Sequence, residues 1–152
     1  SKLSKISIED LGFGDSSLVI AVPSGWIDVD NIYDLIELSY EYKGRSENLK
    51  LATKYPNLVR RKLENYDVHN IVLVSASGGL EAAPIIGYAD IIADITVTGK
   101  TMKENNLKPL KDGVLFNSQA CVITSNSIPK NLNIEFLNII KKLKSVGKSE
   151  NI

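Results

Sequence analysis

The chain contains one cysteine and one histidine in 152 residues, and neither sign of charge dominates: 18 lysines and arginines balance 18 aspartates and glutamates. A single thiol excludes an internal disulfide, and Cys121, inside the apolar run 120–123, reads as a buried strand residue. A single imidazole excludes most histidine chemistry. His69 stands just before the apolar run 71–74, away from any nucleophile-elbow pattern, so it does not supply the base of a Ser-His-Asp hydrolase. A zinc site lacks its usual ligand set, and no metal-ligating residues are assigned. Balanced charge gives no electrostatic reason to expect nucleic acid, and the only basic clusters are Arg60-Arg61-Lys62 and a lysine-rich tail. No apolar stretch approaches the roughly 20 residues of a membrane helix, and no secretory signal is legible, so the expectation is a cytoplasmic protein away from membranes. What is present is 43% hydrophobic and 24% charged, ordinary for a globular protein, and long enough for one domain or two small lobes.

Apolar runs at 18–22, 71–74, 91–95, 114–116 and 120–124 read as strands, with a weaker candidate at 50–53. They do not alternate strictly, which favours a sheet covered on both faces. Helical spacing predicts helices over 31–42 (Ile32, Leu35, Ile36, Leu38), 56–65 (Val59, Leu63, Tyr66) and 132–144 (Leu132, Phe136, Ile139, Ile140, Leu143). A shorter one is predicted over 79–87, ending at a glycine. Strands alternating with helices imply an α/β fold with a mostly parallel sheet.

In such a sheet ligands gather at the C-terminal ends of the strands. Three polar turns follow apolar runs there and each opens a helix: 53–57, 75–79 and 96–101. The third is the most informative. The run 91–95 carries Asp94 and breaks into Thr96-Val97-Thr98-Gly99-Lys100-Thr101. Backbone N–H groups, hydroxyls and one ammonium around a glycine suit a phosphate, and the carboxylate beside them suits ribose hydroxyls or a magnesium ion. A P-loop is excluded, because Asp94 occupies the position of its first glycine. The plainer reading of the same residues is a capping box from Thr101 to Glu104. In Ser77-Gly78-Gly79-Leu80-Glu81, the glycines allow close backbone approach, and Glu81 either accepts from ribose or caps Gly78. Tyr55 either offers a flat face to a base or packs at a strand end; Arg60 and Arg61 either pair with phosphates or are solvated helix charges.

Taken in order, several segments resemble the ATP phosphoribosyltransferase family, which opens histidine biosynthesis. They are Asp10-Leu11-Gly12-Phe13-Gly14, Leu18-Val19-Ile20-Ala21-Val22-Pro23, the stretch from Ala52 through Tyr55-Pro56-Asn57 to Arg61, Gly78 to Pro84, Gly87 to Met102, and Asn106-Leu107. The resemblance runs over roughly residues 10–124 and implies an α/β, periplasmic-binding-protein-like (type II) lobe, its mostly parallel sheet covered by helices on both faces, with a ligand cleft between two lobes. It implies transfer of the phosphoribosyl group of 5-phosphoribosyl 1-pyrophosphate (PRPP) to N1 of ATP, releasing pyrophosphate, with Mg²⁺ bound alongside PRPP. It places Asp94 and Glu81 at the ribose as the catalytic carboxylates. Thr98, Gly99, Lys100 and Thr101 then cradle the 5′-phosphate, joined as substrate-binding residues by Thr96, Ser77, Gly78 and Gly79. Tyr55, Arg60 and Arg61 fall on the ATP side.

Three positions depart from the family pattern: Gly79 replaces a usual serine, Lys100 an often small or polar residue, and Val97 a small hydroxyl residue. The family also has a further N-terminal segment. Residues 1–17 are therefore expected to be a remnant of the first lobe, 18–115 the phosphoribosyl-binding second lobe, and 116–152 a return strand and helix of the first. A homo-oligomer, or a complementary chain supplying the rest of the first lobe, is the expected partner. Two rivals stand beside this reading. A type I phosphoribosyltransferase would have two adjacent acids before its loop, whereas Ala93 precedes a lone Asp94. A lobe that binds a ligand without turnover is the other.

Overall fold

The computed structural model describes residues 16–117, apart from Asp67, His69 and Ser77, and residues 133–150. Its strands are β1 (Ser17–Pro23), β2 (Leu49–Thr53), β3 (Ile71–Ser75), β4 (Ile91–Thr96) and β5 (Leu107–Asn117). Its helices are α1 (Ile32–Gly44), α2 (Pro56–Asn65), α3 (Lys100–Glu104) and α4 (Asn133–Glu150), with a 3₁₀ turn at Leu80–Ala82. The strands lie in one sheet in the order β3-β2-β4-β1-β5. β2 pairs parallel with β3 and β4, while β1 pairs antiparallel with β4 and β5. Four strands thus run one way and β1 runs against them, which is the mostly parallel sheet expected, with one reversed strand inside it.

Alternate residues of the strands feed two cores, as a side-chain period of two requires. Leu18, Ile20 and Val22 of β1 join Leu49, Leu51, Ile91, Ala93 and Ile95 beneath the three longer helices α1, α2 and α4. Val19 and Ala21 join Ala52 and Ile92 on the opposite face, under Leu80, Ala83, Ala89, Met102 and Leu107. Among the described residues cover is therefore unequal: the second face carries a 3₁₀ turn, its following turns and the five-residue α3.

The helix starts are tied from afar. The Asn31 side chain accepts from Asp34 N at 2.8 Å, and Asp112 of β5 accepts from Ile32 N at 2.7 Å, so α1 is capped by its own N-cap and by the sheet edge. α2 opens with Pro56, whose missing N–H costs nothing there. Its next donors, Asn57 N and Leu58 N, reach the Glu135 carboxylate of α4 at 3.1 and 3.2 Å. Phe136, Ile139 and Leu143 bury α4 against the same core, and Ser16 Oγ donates to Leu143 O at 2.9 Å.

Four expectations change. The helix over 79–87 is only a 3₁₀ turn followed by further turns, because Gly79 is left-handed at its start and Pro84 has no N–H to continue an α-helical ladder. The strand at 114–116 is the end of the eleven-residue β5. The capping box at Thr101 does not form: the N-cap is Gly99 at φ 78°, which puts Thr101 inside α3. Nor does Gly78 serve as a cap for Glu81, since the N-cap there is Gly79 and no side chain caps it. The strand at 120–124 lies outside the described residues, and the boundary expected between 115 and 116 falls inside β5.

Candidate functional site

β2, β3 and β4 are mutually parallel, so the turns after Thr53, Ser75 and Thr96 emerge on one rim of the sheet, as the sequence predicts. Along β4, Ile91, Ala93 and Ile95 face the three longer helices, which sends Ile92 and Asp94 to the thinly covered face. Asp94 pairs with Val19 of β1 in the ladder and is half-buried. Burial pushes its carboxyl up from the ordinary carboxylate range; the Ile95 N–H, 2.8 Å from Oδ1, pulls it back. The negative charge of Glu81 adds to the rise, while the ammonium groups of Lys54 and Lys142 oppose it. The Asp94 carboxyl thus feels the charge of Glu81 and of two cations that the sequence reading did not assign to this edge.

The loop after β4 braces itself. Thr96, buried, accepts from Gly99 N at 2.8 Å, and Thr98 accepts from Lys100 N at 3.3 Å. Gly99 needs to be glycine for its φ of 78°, since the nearest atom to an added Cβ, on Pro109, stands at an ordinary 3.6 Å. Lys100, Thr98 and Thr101 are exposed. Across the rim, Gly78 and Gly79 are exposed with nothing within 4 Å of an added Cβ, so open space lies above both. Tyr88 ties that side down by donating from its hydroxyl to Ser75 O at 2.9 Å. Ser77 lies outside the described residues.

Tyr55 is 4% exposed and belongs to the core under the helices; its N–H reaches Thr53 Oγ1 at 3.1 Å. Burial, with the Asp94 charge behind it, pushes its hydroxyl up to about 12, so it stays neutral. The buried ring presents no open face to a base. Arg60 and Arg61 lie on the exposed side of α2, Arg60 bonded to Asn57 Oδ1 at 3.0 Å. The cations acting on Asp94 are Lys54 and Lys142, not these arginines.

Among the described residues, no group of three or more His, Cys, Asp or Glu side chains could hold a metal ion. Asp94 and Glu81 are carboxylates of the kind that a magnesium ion bound on phosphates would take, one or two at a time. No described helix is long and apolar enough to cross a membrane.

The fold and this rim define an α/β lobe whose strand ends gather acids, hydroxyls and glycines on one edge, where open α/β sheets receive their ligands. The family model for ATP phosphoribosyltransferase matches residues 2–145, and the chain belongs to that family. It is 40% identical over 119 residues to an ATP phosphoribosyltransferase of Nitrobacter hamburgensis, covering 78% of this chain and 37% of that protein. It is 43% identical over 115 residues to one of Rhizobium etli, covering 74% of this chain and 50% of that protein. The chain thus spans half or less of these curated relatives. Among solved structures, the ATP phosphoribosyl transferase (HisG:HisZ) complex of Thermotoga maritima aligns over 86% of this chain and 57% of its own, at 26% identity and a TM-score of 0.47. Substrate-binding domain 2 of Lactococcus lactis GlnP aligns over 87% and 60% at 13% identity, with a TM-score of 0.43.

Proposed function

We propose that this chain is the phosphoribosyl-binding lobe of an ATP phosphoribosyltransferase acting in the cytoplasm at the first step of L-histidine biosynthesis. The observation that carries the reading is the β4 edge, which sets Asp94 within the field of Glu81 and leads directly into the Gly99 turn, in a chain of this family. Thr98, Gly99, Lys100 and Thr101 hold the 5′-phosphate of PRPP, with Thr96 bracing the loop from beneath. Asp94 and Glu81 accept hydrogen bonds from the ribose hydroxyls. The Ser77-Gly78-Gly79 turn lets the substrate approach the backbone, and Arg60 and Arg61 lie toward the ATP phosphates.

Transfer breaks the C1–pyrophosphate bond and forms a bond from C1 to N1 of ATP, through a state with positive charge on the ribose. Two carboxylates fixed beside that ring favour the developing charge before it appears, and a fixed 5′-phosphate keeps C1 in line between nucleophile and leaving group. Mg²⁺ bound with PRPP supplies charge neutralisation of the departing pyrophosphate. A second copy or a complementary chain completes the cleft on the ATP side.

Calorimetric titration of PRPP with Mg²⁺ into the chain tests the lobe, and ³¹P NMR of the same mixture with ATP tests the transfer. Saturable PRPP binding with no response to ribose is expected, as is pyrophosphate release only when ATP is present. Binding without release keeps the lobe and assigns turnover to a larger assembly. Equal responses to PRPP and ribose contradict the phosphate site.

A further inference from the structure

Lys54 belongs to none of the family-like roles above, yet the sheet places it at the middle of the rim. Parallel pairing of β2 with β4 runs through Ala52↔Ile92 and Thr53↔Ala93. Continued by one residue, the register sets Lys54 beside Asp94, about 4.8 Å away across the strands. Ala52 and Ile92 both lie in the second core, and the same alternation, continued one residue past Thr53 at the end of β2, sets Lys54 on the face that Asp94 shares with Ile92. Lys54 is half-buried, and its ammonium is one of the two cations felt by the Asp94 carboxylate.

Strand order then gives the rim a direction. β4 lies between β2 on one side and β1, followed by β5, on the other. The Gly99 turn and α3 lean toward β5: an added Cβ on Gly99 would touch Pro109 of that strand, and Met102 packs with Val19, Ala21 and Leu107. Lys54 stands on the opposite side of Asp94, toward β3 and the glycines at 78 and 79. A phosphorylated sugar seated with its 5′-phosphate on the Gly99 turn and its ring over Asp94 points its C1 substituent toward Lys54.

We infer that Lys54 is the cation for the anionic group at C1 of the bound sugar, the pyrophosphate of PRPP, and that it separates PRPP from ribose 5-phosphate. This rests on the phosphoribosyl reading above. It also gives Lys54 two roles: in the free protein its charge acts on the Asp94 carboxyl, and in the complex it is shared with the diphosphate. Lys142 of α4 is the second cation whose charge the Asp94 carboxyl feels.

The test is titration of wild type, Lys54→Met and Lys54→Arg with PRPP and, separately, ribose 5-phosphate, both with Mg²⁺. Lys54→Met should weaken PRPP about tenfold, the scale of one lost hydrogen bond to a charged group. It should change ribose 5-phosphate less than twofold, and Lys54→Arg should restore most of the PRPP affinity. The amide spectrum of each variant establishes that it is folded, and the Asp94 carboxyl, followed by ¹³C NMR, should titrate higher in Lys54→Met. Equal losses for both ligands, or an unchanged PRPP affinity, overturn the assignment while leaving the phosphoribosyl site in place. Failure of wild type to bind either ligand overturns both.

Discussion

At the level of single residues, burial raises the Asp94 carboxyl while the Ile95 N–H, Lys54 and Lys142 restrain it. Because the folded value lies above the unfolded one, near 3.9, the native chain holds more protons than the unfolded chain between the two. Stability contributed by this group therefore falls as pH rises through that window and is level above it. Asp94→Asn keeps an oxygen for the Ile95 N–H and removes the buried charge. It should melt higher than wild type at pH 7, by roughly 2–4 °C, with the difference shrinking below the window. PRPP affinity should fall at least about tenfold in the same variant. A lower melting point at neutral pH would contradict the assignment of cause. Gly99→Ala carries strain of about 1 kcal/mol from its φ of 78°, so urea unfolding should shift by that amount and the neighbouring turn should lose its phosphate affinity.

Among the elements, α4 is fastened to α2 by a carboxylate at a helix start. Glu135→Ala leaves Asn57 N and Leu58 N without their acceptor and should cost about 1 kcal/mol in chemical denaturation, the usual worth of a cap. Hydrogen exchange at those two amides should quicken, and Glu135→Gln, which keeps an oxygen, should recover much of the loss. A Glu135→Ala variant with unchanged exchange would show that water replaces the carboxylate at no cost. This contact was not legible in the sequence, since its partners lie 77 and 78 residues apart. α2 itself was legible to the residue, because Pro56 marks its start and Val59 and Leu63 face the core, although Tyr66 of the expected stripe is exposed and Leu58 is buried instead. β5 was half legible for a definite reason. Pro109 and Asp112-Gly113 look like turn residues, but among the described residues β5 is an edge strand paired with β1, where proline is tolerated. Its register slips between Val19 and Ala21, and a Cβ on Gly113 would come within 2.8 Å of Leu110 Cβ, so the glycine marks a bulge inside a strand. For the site, the strand-end turns showed which residues share the rim. Only the pairing of Thr53 with Ala93 brought the residue after β2 toward Asp94, and only packing showed that the Tyr55 ring is buried.

For the whole molecule, the rim's back wall is well packed and its surroundings are not. Ile85 and Ile86, 72% and 73% exposed, sit between the 3₁₀ turn and β4, and Ile134 and Leu137 are exposed on α4. Single exposed apolar residues are ordinary, but adjacent ones beside a site are surface that a second copy or a complementary chain would cover. Sedimentation velocity over increasing concentration should show reversible association, reduced by Ile85→Glu with Ile86→Glu; a monomer throughout would count against self-association. The unequal faces of the sheet explain why the ligand rim lies where it does. Among the described residues three helices fill one side, and the other carries short turns and the five-residue α3, so the rim's polar groups stay reachable above the core. Backbone ¹H–¹⁵N NMR of the chain titrated with PRPP and Mg²⁺ tests this account most directly. It predicts saturable shifts at residues 94–101, at Gly78, Gly79 and Glu81, and at Lys54, none of which ribose reproduces. Shifts centred on the exposed face of α2, or no shifts at millimolar PRPP, would contradict it.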